Sequence, residues 1–139
     1  MIMAQSCSRV PKFTVMCNGS FGAGNYGMCG RAFDARFLFS WPNHQIGVMG
    51  GDQAANTLAE VKINQMKRNG EAVDQAAVKA LWEQTRSAYQ EQLSAYYATS
   101  ELWDDGIIDP VDTRNALGIA ISASLNAPLG DPGYGVFRF

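Results

Sequence analysis

The chain has 139 residues, 47% of them apolar, enough for one modest domain with a core of its own. A net charge of -2 leaves no basic footprint for nucleic acid, and no apolar run is long enough to span a membrane. Cys7, Cys17 and Cys29 are odd in number and lack a Cys-x-x-Cys spacing, so they read as reduced, small apolar filler in a reducing compartment.

The N-terminal Met1-Ile2-Met3-Ala4-Gln5-Ser6 favours helix but has no capping residue and is too short for a signal peptide. It reads as the last turns of a helix that starts upstream, ended by Val10-Pro11. A β-rich run over 12–18 then feeds the stretch 19–31, which holds five of the 14 glycines and reads as a strand, a tight turn and a glycine-rich helix start. Such a turn presents unpaired backbone amides, and a ligand can approach them without meeting a Cβ.

Phe37-Leu38-Phe39-Ser40-Trp41, stopped by Pro42, and Ile46-Gly47-Val48-Met49 are further strands, apolar enough to predict burial on both faces. Gly50-Gly51-Asp52 opens a helix with Asp52 as N-cap, Ala54, Leu58 and Val61 on one side, and a stop at Lys67-Arg68-Asn69-Gly70. A longer helix over about 72–92 places Val78, Trp82, Tyr89 and the following Leu93 on one face, a stripe for packing against a neighbouring element. Tyr96-Tyr97-Ala98-Thr99-Ser100 leads to the Asp104-Asp105-Gly106 turn and a short buried strand at Ile107-Ile108. Asp109-Pro110 is the N-cap and N1 pair of a helix to about residue 126. That helix has Leu117, Ile121 and Leu125 on one face and Ala116, Ala120 and Ala123 on another, which predicts burial all round. The tail 128–139, rich in glycine and proline, reads as irregular.

Few side chains offer chemistry. His44 is the sole histidine, and without a second one or a cysteine pair it predicts a structural or solvated residue and no metal site. Ser20 lacks the Gly-x-Ser-x-Gly context of a hydrolase nucleophile, since Asn18 stands at the first glycine position. Asp104, Asp105 and Asp109 are accounted for by turn and capping roles. Gly22-Ala23-Gly24-Asn25-Tyr26-Gly27 matches the dinucleotide fingerprint literally, after a strand and before a helix. Yet the next strand ends in Trp41-Pro42-Asn43-His44 rather than in the acid that would hold a ribose, so a dinucleotide domain ranks second.

The run Gly19-Ser20-Phe21-Gly22-Ala23-Gly24-Asn25-Tyr26-Gly27-Met28-Cys29-Gly30-Arg31-Ala32, with Trp41-Pro42-Asn43, Val48-Met49-Gly50-Gly51 and Gln53-Ala54-Ala55-Asn56, carries a resemblance. It continues through Tyr96-Tyr97-Ala98, Leu102-Trp103-Asp104-Asp105-Gly106-Ile107-Ile108-Asp109-Pro110, Asp112-Thr113-Arg114 and Leu125-Asn126-Ala127-Pro128 to Gly135-Val136-Phe137-Arg138. Over nearly its whole length the chain closely resembles the carboxyltransferase β subunits of biotin-dependent acyl-CoA carboxylases, most of all their 3-methylcrotonyl-CoA and geranyl-CoA branch.

The resemblance implies an α/β, crotonase-like fold, a ClpP/crotonase superhelix of β-β-α units. Residues 1–139 would be the C-terminal part of the second, biotin-side domain, with the acyl-CoA-side domain upstream. The implied activity moves carbon dioxide from carboxybiotin to a branched 2-enoyl-CoA, and in that family the biotin ureido oxygen takes the substrate proton, so no side-chain base is needed. The protein supplies NH donors for two enolates. On the biotin side these would be the backbone amides of Ala23 and Gly24, in a binding turn of Gly22, Ala23, Gly24 and Asn25, with no metal. Met66-Lys67-Arg68 departs from the Met-Lys-Met biotinylation site, so biotin would arrive on a partner subunit, which also uses ATP and bicarbonate.

The resemblance further implies an acyl-CoA substrate, a biotin carboxylase and biotin carrier partner, and a homo-oligomer with active sites between subunits, this chain alone being inactive. Neither nucleic acid nor membrane enters. The implied location is the cytoplasm, or the mitochondrial matrix in a eukaryote. His44, Gly47 and Phe139 differ from the commonest methylcrotonyl pattern and leave the choice between the two acyl chains open. A third reading is a non-catalytic, crotonase-like assembly module.

Overall fold

The computed structural model describes residues 1–33 and 35–128. Two β-β-α units follow one another. In the first, β1 (Phe13–Met16) and β2 (Gly19–Phe21) lead to a short helix, α2 (Ala23–Gly27), preceded by α1 (Ile2–Cys7). The second, β3 (Phe37–Ser40), β4 (Gln45–Gly47) and α3 (Gly51–Arg68), repeats that order. Equivalent strands pair in parallel, β1 with β3 and β2 with β4, so the chain crosses between two sheets within each unit. Then come α4 (Gln75–Gln92), α5 (Ala95–Ser100), β5 (Gly106–Ile107), a 3₁₀ turn at Pro110–Asp112, and α6 (Thr113–Ser124). β5 joins the first sheet beside β3, also in parallel.

The β-rich run over 12–18 is thus shorter than its sequence suggests, because the chain leaves one sheet at Met16 and enters the other at Gly19. Between the sheets Met16, Leu38, Ile46 and Ala98 form the core, with Ala35 and Trp103 against it. The expected burial of both strand faces is corrected. β3 alternates, with Leu38 and Ser40 buried while Phe37 and Phe39 are half-exposed. These two rings stack on each other at 5.6 Å, and Phe37 stacks on Phe13 at 6.4 Å, forming an aromatic face.

Helix starts are set by residues other than some expected. Gly50, not Asp52, is the N-cap of α3; Asp52 lies in the first turn and bonds Arg86 Nε at 2.5 Å. An acid there still favours the helix N-terminus. α4 starts at Gln75 rather than near 72, because Asp74 accepts from the amides of Ala76 and Ala77. Its aromatic stripe does pack on a neighbour. Trp82 donates to Asn56 on α3 at 2.7 Å, and Arg86 lies 5.6 Å over the Trp82 ring. The helix α5 is an element that the sequence reading passed over; Ser94 caps it by accepting from Tyr97 N at 3.1 Å.

The expected burial of α6 is also corrected. Its inward line is Thr113, Ala116, Leu117, Ala120 and Ser124, whereas Ile119, Ile121 and Leu125 are exposed. A helix apolar on every side needs cover on every side, and the described residues supply it on one. The tail from 129 onward lies outside the described residues. Among the described residues no helix is long and apolar enough to cross a membrane.

Candidate functional site

The glycine turn stands where β2 ends. Gly22 has φ 53° and ψ -133°, a backbone that side-chain-bearing residues rarely adopt, and its amide donates to Gly47 O at 3.1 Å. That bond carries the β2–β4 pairing one step further and turns the chain sharply into α2. Asn25 N reaches back to Gly22 O at 3.2 Å, while the amides of Ala23 and Gly24 find no acceptor among the described residues. Both residues are exposed. A Cβ at Gly24 would meet nothing within 4 Å.

Gly24 and Asn25 border a cleft of about 580 Å³ between the end of β1, β2 and α2. Asn25 faces away from free chemistry: its Nδ2 donates to Ser20 Oγ at 2.8 Å, and its carboxamide occupies the space that a Cβ on Gly30 would need. The glycine at 30 therefore exists for Asn25, and Asn25 fixes β2 to α2. Of the four expected binding residues, Gly22 shapes the turn, Ala23 and Gly24 present donors, and Asn25 braces them.

Other candidates resolve into structure. Asp104 accepts from Thr99 Oγ1 at 2.9 Å, Asp105 from Leu38 N at 2.8 Å, and Asp109 from Val111 N at 3.1 Å. Cys29 is buried and Cys7 half-buried, but Cys17 is exposed at the cleft, so filler describes it poorly. The dinucleotide reading fails on geometry, since α2 has five residues and the strands on either side of the glycines belong to different sheets.

His44 is 1% exposed, and its Nδ1 lies 2.6 Å from the carbonyl of Asn18. A carbonyl only accepts, so the ring carries its proton on Nδ1. Burial lowers its pKa from the ordinary 6.5, outweighing the Asn18 carbonyl and the Asp104 charge, which raise it. As pH falls, the unfolded chain therefore takes up this proton first. Stability is expected to fall as pH drops through about 6.5 and to level off only below the folded pKa. Urea midpoints measured across that window on wild type and His44→Asn should show the slope in the wild type and its loss in the variant.

Two β-β-α units whose like strands pair in parallel, with a turn of free amides at the start of a helix, define a crotonase-like fold. The carboxyl transferase domain model matches residues 1–133, and the chain belongs to that family. It is 50% identical over 99% of its length to the mitochondrial methylcrotonoyl-CoA carboxylase beta chain of Arabidopsis thaliana, covering 24% of that protein. To the biotin-dependent 3-methylcrotonyl-coenzyme A carboxylase beta1 subunit of Mycobacterium tuberculosis it is 51% identical, again over 99% of the chain and 26% of the relative. The solved beta subunit of P. aeruginosa geranyl-CoA carboxylase superposes with a TM-score of 0.78 at 41% identity, covering 99% of this chain and 26% of that one. The chain thus spans about a quarter of the length of these relatives.

Proposed function

We propose that this chain forms the biotin-side wall of the transfer site in a biotin-dependent acyl-CoA carboxylase, acting on 3-methylcrotonyl-CoA or geranyl-CoA. The observation that carries the reading is the pair of unengaged amides at Ala23 and Gly24, with open space over Gly24 at a cleft. These donors fit the ureido oxygen of biotin, a planar acceptor that must come close to the backbone. Biotin, when bound, supplies the carboxyl group and a basic oxygen.

The chain's own residues do the rest by position. The amides of Ala23 and Gly24 donate to the oxygen on which negative charge grows, and such donors are worth roughly 2.7–4 kcal/mol each in the transition state. Gly22 directs them by its turn, and Asn25, bonded to Ser20, ties the start of α2 to β2. Among the described residues no side-chain base stands at the turn, which suits a reaction in which the proton goes to the cofactor. Biotin itself would arrive on a partner subunit that also uses ATP and bicarbonate, and the acyl-CoA would be held by a domain outside this chain. The exposed apolar residues of α6, Ile119, Ile121 and Leu125, accord with assembly into an oligomer. The Arabidopsis thaliana relative is mitochondrial; on this reading a eukaryotic counterpart would work in the matrix and a bacterial one in the cytoplasm.

The test is carboxylation by the full-length subunit paired with its biotinylated partner. With bicarbonate and ATP, 3-methylcrotonyl-CoA and geranyl-CoA are offered side by side. Turnover of one of them is expected, and the preferred chain decides the branch. An intact complex that carboxylates neither of the two would overturn the reading.

A further inference from the structure

Three successive carbonyls link β1 to β2, and the turn over 41–44 takes hold of each. Trp41 N donates to Met16 O at 2.9 Å, Asn43 Nδ2 to Cys17 O at 3.0 Å, and His44 Nδ1 to Asn18 O at 2.6 Å. Gln45 N adds a weaker bond to Asn18 O at 3.3 Å, after which the β2–β4 pairing takes over as far as the Gly22 amide. The track of bonds therefore ends one residue before the first free donor. The turn is itself anchored, closed by His44 N to Trp41 O at 3.0 Å and tied to α6 by Trp41 Nε1 to Thr113 Oγ1 at 2.9 Å.

His44 is an expensive way to fill this space. Its Nε2 is buried with no partner among the described residues, a loss that an aliphatic side chain of similar size would avoid. What an aliphatic residue cannot provide is the N–H aimed at Asn18. We propose that Asn43 and His44 are positioning residues for the transfer reaction: by fixing the carbonyls of Cys17 and Asn18 they set where β2 begins, and so where the Ala23 and Gly24 amides point.

This inference rests on the function proposed above, and it is tested so that the two can fail separately. In the full-length subunit with its biotinylated partner, His44→Leu removes the N–H and keeps the bulk. His44→Asn keeps a donor near the position of Nδ1, and Asn43→Ala removes only an exposed side chain, so it folds even if the leucine variant does not. His44→Leu should lower kcat about 10- to 100-fold, the effect of a small misplacement of catalytic groups, with KM for acyl-CoA held. Asn43→Ala should lower kcat in the same direction, and His44→Asn should restore it toward wild type.

Amide hydrogen exchange across 20–25 provides a readout independent of turnover. It should quicken in His44→Leu and Asn43→Ala and return to the wild-type rate in His44→Asn. Unchanged exchange and kcat in Asn43→Ala, or a His44→Asn variant as impaired as His44→Leu, would overturn the clamp. A wild-type complex without turnover would overturn the proposed function instead, and exchange would still decide whether the clamp holds the turn.

Discussion

Gly24→Val in the full-length subunit should fold as the wild type does and lose carboxyl transfer by about 100-fold or more, the cost of an oxyanion donor in other enzymes. Folding is spared because the new Cβ meets no atom within 4 Å and because Gly24 is not among the positive-φ glycines. Helix propensity does not oppose the change either, since glycine is the worse helix former of the two. The valine methyls would stand in the cleft beside the residue's own amide, which screens that donor and keeps the ureido oxygen at a distance. Ala23→Val tests the neighbouring donor in the same way. The check is kcat for both acyl-CoAs alongside a thermal melt. Full turnover in the valine variant would remove the Gly24 amide from the mechanism, and a collapsed melt would return the glycine to a purely structural role.

The sequence shows the β-β-α order because its punctuation is local. Glycine or proline closes each apolar run, as at Pro42 and Gly50, and two of the helices begin where Gly22 and Gly50 stand as N-caps. The Asp-Pro pair also marks a cap, but Asp109 caps the 3₁₀ turn at Pro110–Asp112 rather than α6, which starts at Thr113 with Asp112 as its N-cap. What escaped depends on partners distant in sequence. No pattern within 12–18 shows that the chain changes sheets between Met16 and Gly19, because that step is fixed by bonds from the turn 25 residues onward, such as Trp41 N to Met16 O. α5 was missed for a similar reason. Its six residues are too few for a period to appear, and Ala95 and Ala98 reveal their purpose only when seen fully buried.

The site divides along the same line. Free amides at a glycine turn are a backbone property, legible from the five glycines of 19–31, while it was the family resemblance that pointed to Ala23 and Gly24. The brace behind them was illegible, for it joins Asn25 to Ser20 and to the bare face of Gly30, and neither contact has a sequence signature. His44 shows the limit most clearly. A lone histidine after Trp-Pro-Asn reads as structural or solvated, and only its burial at 1% exposure, with Nδ1 on Asn18, decides between the two.

Two residues before Gly24, the same substitution should have the opposite effect. Gly22→Val is expected to destabilise the fold by about 1–3 kcal/mol, the range for a side chain forced into a sparsely populated backbone region. The backbone at φ 53° and ψ -133° is favourable only without a Cβ, and a Cβ there would also press on Val48 O at 3.2 Å. The chain can relieve both only by rotating the Gly22 peptide, which breaks its bond to Gly47 O and frees the end of the β2–β4 pair. In urea the midpoint should fall with the slope unchanged, marking lost stability of one cooperative unit. Activity should fall too, but here because the turn itself has moved. Gly22→Ala, with the smallest side chain, keeps the backbone strain and the Cβ contact with Val48 O and leaves out only the added bulk of the valine methyls. A wild-type midpoint in Gly22→Ala would mean that the turn adopts another backbone in solution, and with it the aim of the Ala23 and Gly24 amides would be lost as an explanation. A lowered midpoint there, beside an unaltered one in Gly24→Val, would assign the first glycine to the shape of the turn and the second to what the turn binds.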